Sequence, residues 1–177
     1  MSEEYKTLSK EKIYSGRVIS LYKDEVEING VLSSREYVRH NGGAAVLAEK
    51  DGKFAFVSQF RHPLGKNVTE IPAGNRDPGE DPLHTAKREL EEECGLSAKR
   101  LEPVCSFCVS PGYTDEFIWI YYANEFEDVP VKLDEDEFLQ SFWVEKERAF
   151  DMLERGEIYD GKTVIALLWY LSAKKGV

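Results

Sequence analysis

The chain has 177 residues, 42% of them apolar and 12% aromatic, which suits one domain of ordinary size or one with a small appendage and excludes a disordered chain. Its formal net charge of -10 excludes a non-specific polyanion binder, because phosphate backbones attract basic faces, so no nucleic-acid partner is expected. Carboxylates that first hold divalent cations still permit a phosphorylated ligand. The opening MSEEYKTLSK has no apolar core, so no signal peptide is expected, and no stretch reaches the roughly 18 apolar residues of a membrane span. Three cysteines are too few for a disulfide framework, and a cytoplasmic location with no membrane partner is the expectation.

Along the chain, residues 12–39 read as short strands at 13–19, 25–28 and 34–39, with Asn29-Gly30 as a hairpin signal. Gly42-Gly43 breaks the pattern. Buried strands are expected at 44–48 and 54–60, joined by Asp51-Gly52. A long loop with Pro63, Gly65, Pro72, Gly74, Pro78 and Gly79 leads to a helix with clear punctuation: Asp81 to cap it, Pro82 in its first turn and Gly95 to stop it. Leu83, Ala86, Leu90 and Cys94 would form its apolar stripe. Further strands are expected at 101–109, 117–124 and 138–144, and helices at 146–155 and 162–174. Hairpins mixed with helices predict an α+β chain, an α/β/α sandwich rather than a parallel βαβ array.

Cys105 and Cys108 form a CxxC pair. A zinc ribbon needs a second pair and only Cys94 remains, whereas a thioredoxin-like site would place the pair at the start of a helix. In a strand-like run, positions three apart face opposite ways, so the two read as small buried apolar residues.

The segment from Gly74 to Leu96, GNRDPGEDPLHTAKRELEEECGL, carries the chemistry. On a helix, Glu89, Glu92 and Glu93 stand at i, i+3 and i+4, so three carboxylates share one face. Like charges at such spacings cost roughly 0.2–0.5 kcal/mol per pair, and a merely solvated face would intersperse lysines to relieve it. Hard cations take oxygen ligands, and Mg²⁺ typically uses one or two carboxylates plus substrate phosphates. Glu91, off this face, is expected to point elsewhere.

This segment fills every specified position of G-x5-E-x7-R-E-U-x-E-E-x-G-U (U aliphatic) and so resembles the Nudix box: Gly74, Glu80, Arg88, Glu89, Leu90, Glu92, Glu93, Gly95 and Leu96 all match. The resemblance implies a Mg²⁺-dependent pyrophosphohydrolase, with Mn²⁺ able to substitute. Glu89, Glu92 and Glu93, with the carbonyl of Ala73, would hold the metal, and Glu80 would pair with Arg88 to brace the loop against the helix. The implied fold is the Nudix α/β/α sandwich with a small N-terminal antiparallel β-domain. Residues 1–41 would be that β-domain, exchanged between the subunits of a homodimer, and residues 42–177 the catalytic domain.

Flanking residues narrow the family. Ser110-Pro-Gly-Tyr-Thr-Asp-Glu116 resembles the SPG(F/Y)-x-D/N-E segment of ADP-ribose pyrophosphatases; Gln59-Phe60-Arg61 and Glu70-Ile71-Pro72-Ala73-Gly74 resemble their Q-(Y/F)-R and E-(L/I)-P-A-G. These imply a nucleoside-diphosphate sugar as substrate, ADP-ribose first, giving AMP and ribose 5-phosphate. Pro111 and Gly112 would frame the sugar, Glu116 could add a carboxylate, and Arg61 could meet the diphosphate unless it is only an ion-pair partner for Glu70. Glu70 would contact substrate or brace Arg61. Arg35, Arg39, Tyr14 or Tyr22 would hold the adenine of the partner subunit's substrate. The acidic run at 133–138 resembles the loop that supplies a catalytic glutamate, Glu135 or Glu137, to place the water. His62 departs from the pattern where an aromatic is common, as does Asn67-Val68-Thr69 before Glu70, and Cys94 fills a variable position. His84 is expected to face solvent. The alternatives are GDP-mannose, NADH or FAD as main substrate, and a Nudix domain that senses a nucleotide without cutting it.

Overall fold

The structure is a computed structural model that describes residues 4–133 and 138–174. The chain forms two compact units. One holds the chain up to Gly42 together with Cys108–Phe117; the other holds Gly43–Phe107 and the residues from Ile118 onward.

The small unit is built on a three-stranded antiparallel sheet of β1 (Tyr5–Ser15), β2 (Ile19–Ile28) and β3 (Val31–His40). Asn29 and Gly30 both take positive φ, at 51° and 81°, the pattern of a type I′ hairpin whose twist matches the strands. The expected strand at 13–19 is two strand ends and a turn: Ser15 pairs Ser20, and the Gly16 N–H donates to the Ile19 carbonyl at 2.9 Å. The strand before it starts at Tyr5, earlier than its sequence suggests. Every residue of β1 is exposed, so no alternation of apolar and polar residues marks it, and its pairing with β2 alone makes it a strand.

The larger unit is a mixed sheet between helices. Its path runs β12 (Leu139–Glu145), β5 (Lys53–Arg61), β4 (Gly43–Lys50), β10 (Phe117–Ala123), β9 (Glu102–Cys108), with β6 (Lys66–Glu70) on β5 and β7 (Ala73–Asn75) on β4. A small ladder joins β8 (Leu96–Ala98) and β11 (Phe126–Asp128). Strand alternation sends Ala44, Val46, Ala48 and Ala55 into a core with Ala86 and Leu90 of α1 (Pro82–Cys94). The opposite face sends Ala45, Leu47, Phe54, Phe56 and Tyr122 against α2 (Lys146–Glu154) and α3 (Gly161–Lys174). Fully burying a side chain such as Phe54 or Leu90 contributes about 1.5–3 kcal/mol. This is a mixed α+β, Nudix-like sandwich with an antiparallel N-terminal sheet, as expected.

Three local expectations need correction. The long loop before α1 contains strands β6 and β7 and a 3-10 turn at His62–Leu64. Leu83 is exposed, and the covered positions of α1 are Thr85, Ala86, Glu89, Leu90 and Glu93, so two of the glutamates lie inside. Cys105 is exposed rather than buried, while Cys108 is half-buried and its thiol donates to the Thr114 carbonyl at 3.6 Å. No helix among the described residues is long and apolar enough to cross a membrane.

Candidate active site

Helix α1 places the acidic face. Asp81 caps it by accepting from the Leu83 N–H at 2.8 Å, and Gly95 closes its C-terminus in the left-handed region. These ends set where the helix begins and stops. The Glu93 carboxylate, 1% exposed, accepts the Ala73 N–H at 2.8 Å and ties the helix to β7. Glu89 is 7% exposed and lies over Gly74: a Cβ there would meet its carboxylate at 2.1 Å. The glycine of the box is therefore a requirement of space. Arg88 Nη1 donates to Glu89 at 2.7 Å and to Glu92 at 2.9 Å, relieving the like-charge cost of the face. Glu91 points away and accepts from the Ser97 hydroxyl at 2.6 Å.

Glu80 is the hub of the loop before α1. It accepts from the Asp77 N–H at 3.0 Å, the Thr85 hydroxyl at 2.8 Å and the Arg88 guanidinium at 3.4 Å, and His84, largely exposed, lies 3.1 Å from its other oxygen. Burial alone would raise its pKa, but the Asp77 N–H, Arg88 and Thr85 more than offset that and hold it down at about 2. Arg88 also donates to the Asn75 carbonyl at 3.2 Å, so the Glu80–Arg88 pair locks β7 to the helix. A depressed folded-state pKa adds stability above the ordinary value of 4.5 and loses it as pH falls toward about 2. Glu80→Gln is accordingly expected to lower Tm at pH 7, and the gap to the unsubstituted protein should shrink steadily below pH 4.5. Calorimetric scans over pH check this; a constant gap contradicts it.

A second charged group borders β6 and β7. Arg61 grips Glu70 with two parallel bonds, Nε to Oε1 and Nη2 to Oε2, both 2.6 Å. Glu70 is 3% exposed at its side chain, Arg61 37%. Lys162, at the start of α3, donates to the same Glu70 and to Asp160 at 3.1 Å. Burial works against the charge of Glu70, but Arg61 and Lys162 more than offset it and keep the carboxylate ionised below its usual range. The ion-pair reading of Arg61 thus holds in the structure, and the guanidinium edge turned from Glu70 keeps donors for an anion.

The small unit carries the other residues expected to bind substrate. Arg39 donates to Asp115 at 2.5 Å, and the His40 N–H to the same carboxylate at 3.1 Å. The Val38 N–H meets the Tyr113 carbonyl at 2.8 Å, so the turn bearing Pro111 and Gly112 is laced onto β3, with Glu116 3.6 Å from the His40 ring. Arg35 instead bonds locally to Ser33 and the Ser34 carbonyl, both at 2.8 Å. Tyr22 stacks on Tyr37, while Tyr14 is exposed. A polar cleft of about 320 Å³ in this unit is lined by Arg17, Ser20, Arg39, His40 and Asp115. Glu135 and Glu137 lie outside the described residues.

Sequence reasoning missed Lys162, Asp160, Thr163 and Arg76. Arg76 Nε donates to the Glu80 carbonyl at 3.0 Å, and its guanidinium lies 4.6 Å from the Trp119 ring. One signal existed for Lys162: a cation in the first turn of a helix opposes the macrodipole and asks for an anionic partner.

The donor set fits a hard cation. Among the described residues no three or more His, Cys, Asp or Glu side chains converge into a ready cage. A Mg²⁺-type ion does not need one, since it takes few carboxylates and completes its shell with water and phosphate oxygens. Glu89 and Glu92 share a face, and the Ala73 N–H bond to Glu93 and the close approach of Gly74 to Glu89 set β7 against that helix.

Residues 38–167 match the NUDIX domain family. The chain is 47% identical to the ADP-ribose pyrophosphatase of Bacillus subtilis, covering 99% of this chain and 97% of that one, and 32% identical to that of Mycobacterium tuberculosis, covering 93% and 82%. It is 45% identical to the methanol dehydrogenase activator of Bacillus methanolicus, covering 93% and 91%. The crystal structure of an ADP compounds hydrolase superposes with a TM-score of 0.83 at 23% identity, over 98% of this chain and 97% of that one, which shows a common fold. With an intact box on a capped helix, this chain belongs to the Nudix family and is a hydrolase of the ADP-ribose pyrophosphatase-like group.

Proposed function

We propose that the protein hydrolyses the pyrophosphate bond of a nucleoside-diphosphate sugar in a Mg²⁺-dependent reaction, with ADP-ribose as main substrate and AMP and ribose 5-phosphate as products. The observation that carries this reading is the acidic face of α1 braced against β7, in a chain 47% identical to an ADP-ribose pyrophosphatase over nearly its whole length. Glu89, Glu92, Glu93 and the Ala73 carbonyl hold the cation, with Mn²⁺ an alternative. When bound, a divalent ion there supplies charge neutralisation to the diphosphate and acidifies water. Glu80 and Arg88 keep the helix and loop in register, and Arg61, fixed by Glu70, presents its free edge to phosphate oxygens. Glu135 or Glu137 places the attacking water.

Pro111, Gly112 and Glu116 serve the sugar; Arg35 and Arg39, or Tyr14 or Tyr22, hold the adenine of the partner subunit's substrate, a reading that the polar cleft lined by Arg39 supports. The N-terminal domain, residues 1–41, joins two copies into a homodimer, for Tyr5, Ile13, Tyr14, Val31 and Leu32 of its sheet are exposed, Leu32 by 70%. A monomeric mass by light scattering contradicts that assembly. Three free cysteines suit a reducing, cytoplasmic setting.

The substrate assignment is tested by competing ADP-ribose, GDP-mannose, NADH, FAD and ATP for one enzyme sample and resolving products by chromatography. ADP-ribose should be consumed first. Preferential loss of GDP-mannose or NADH moves the assignment to that compound, and binding without cleavage of any of them supports a nucleotide-sensing domain.

A further inference from the structure

We propose that Lys162 is a positioning residue for Arg61: it takes a further bond on the Glu70 carboxylate and so holds Arg61 at the phosphate-binding edge. The inference rests on the proposed pyrophosphatase reading.

Glu70 has room for about four hydrogen bonds on its two oxygens. Arg61 takes one on each, which sets the two groups coplanar. A two-point fork still allows the pair to rock together about the Glu70 side-chain torsions. Lys162 takes a further position on Oε2 and is itself held by Asp160 at 3.1 Å. Asp160 in turn caps α3, accepting the Thr163 N–H at 3.1 Å and the Thr163 hydroxyl at 2.6 Å. The same Thr163 oxygen accepts the Ile71 N–H at 2.9 Å. The first turn of α3 therefore grips both the side chain of Glu70 and the backbone of the next residue.

Charge balance gives Lys162 a second effect. Arg61 and Lys162 face Glu70 and Asp160, two cations against two anions, with Glu70 and Lys162 largely buried. Without Lys162 the group carries a net negative charge, which draws Arg61 inward and opposes an incoming diphosphate. The metal side of β7 is secured separately, by the Ala73 N–H to Glu93 and by the Val46 N–H to the Pro72 carbonyl at 3.0 Å. Loss of Lys162 should therefore weaken substrate binding and leave metal binding alone.

Steady-state kinetics with ADP-ribose and calorimetric binding of inorganic pyrophosphate in Mg²⁺ compare the unsubstituted protein, Lys162→Met and Lys162→Arg. Lys162→Met should raise KM and weaken pyrophosphate binding by about tenfold, the scale of lost outer-shell support. Its kcat should stay within about threefold and its half-activating Mg²⁺ concentration should not change. Lys162→Arg should restore both affinities. If Lys162→Met does not fold, Lys162→Gln, which also removes the cation and leaves Glu70 in place, is used instead with the same expected rise. A lowered Tm with unchanged KM and unchanged pyrophosphate affinity overturns the proposal, since Lys162 is then only structural. If the unsubstituted protein does not cleave ADP-ribose, the substrate reading fails, and the ratio of pyrophosphate affinities still decides the role of Lys162.

Discussion

Glu93→Gln is expected to lower turnover by roughly a thousandfold, about 4 kcal/mol of transition-state stabilisation, while the fold persists. Glutamine has the size of glutamate, and its amide oxygen can still accept the Ala73 N–H that Glu93 accepts at 2.8 Å. What it cannot supply is the negative charge, in a position only 1% exposed where water cannot substitute for it. The loss should fall on kcat, because neutralisation of the departing phosphate is demanded most in the transition state. Glu92→Gln should behave similarly, with its amide oxygen still able to accept from Arg88. Circular dichroism and a melting curve establish folding; single-turnover kinetics measure the loss. Near-normal rates in both folded variants remove the metal assignment.

Gly74→Ala is the second large effect. The added methyl would sit 2.1 Å from the Glu89 carboxylate, closer than any real contact, and that carboxylate is also held by Arg88 at 2.7 Å. Either Glu89 rotates off the acidic face of α1 or β7 separates from that helix. Both break the close packing of β7 on the α1 carboxylates. A displacement of this kind costs on the order of a hundredfold in rate, and overpacking costs about 1–3 kcal/mol in stability. Gly161→Ala, where a Cβ meets nothing within 4 Å, serves as the control and should leave both unchanged. Denaturant titration and turnover of the two variants check the pair, and equal behaviour contradicts the spatial argument.

Much of the fold was legible because its signals are local. Asp81, Pro82 and Gly95 delimit α1, and Asn29-Gly30 and Asp51-Gly52 take the positive φ values that their hairpins need. The carboxylates of the box are legible for the same reason, as helical spacing alone puts them on one face. The missing parts are set by distant partners. Strand β6 exists through its pairing with β5, and β7 through its three-residue pairing with β4, inside a run that Pro and Gly mark as loop. Lys162 and Glu70 lie 92 positions apart, and so do Ile71 and Thr163, a separation at which no periodicity carries information. Leu83 misled because the buried stripe of α1 was read by apolarity alone, whereas two of its positions are the buried glutamates Glu89 and Glu93.

The most direct test incubates the protein with ADP-ribose and measures AMP and ribose 5-phosphate with Mg²⁺, and again with excess EDTA. Equal amounts of the two products with Mg²⁺, and neither with EDTA, is the predicted result. Product formation that EDTA leaves unchanged, or none at any Mg²⁺ concentration, contradicts a metal-dependent pyrophosphatase built on the α1 carboxylates.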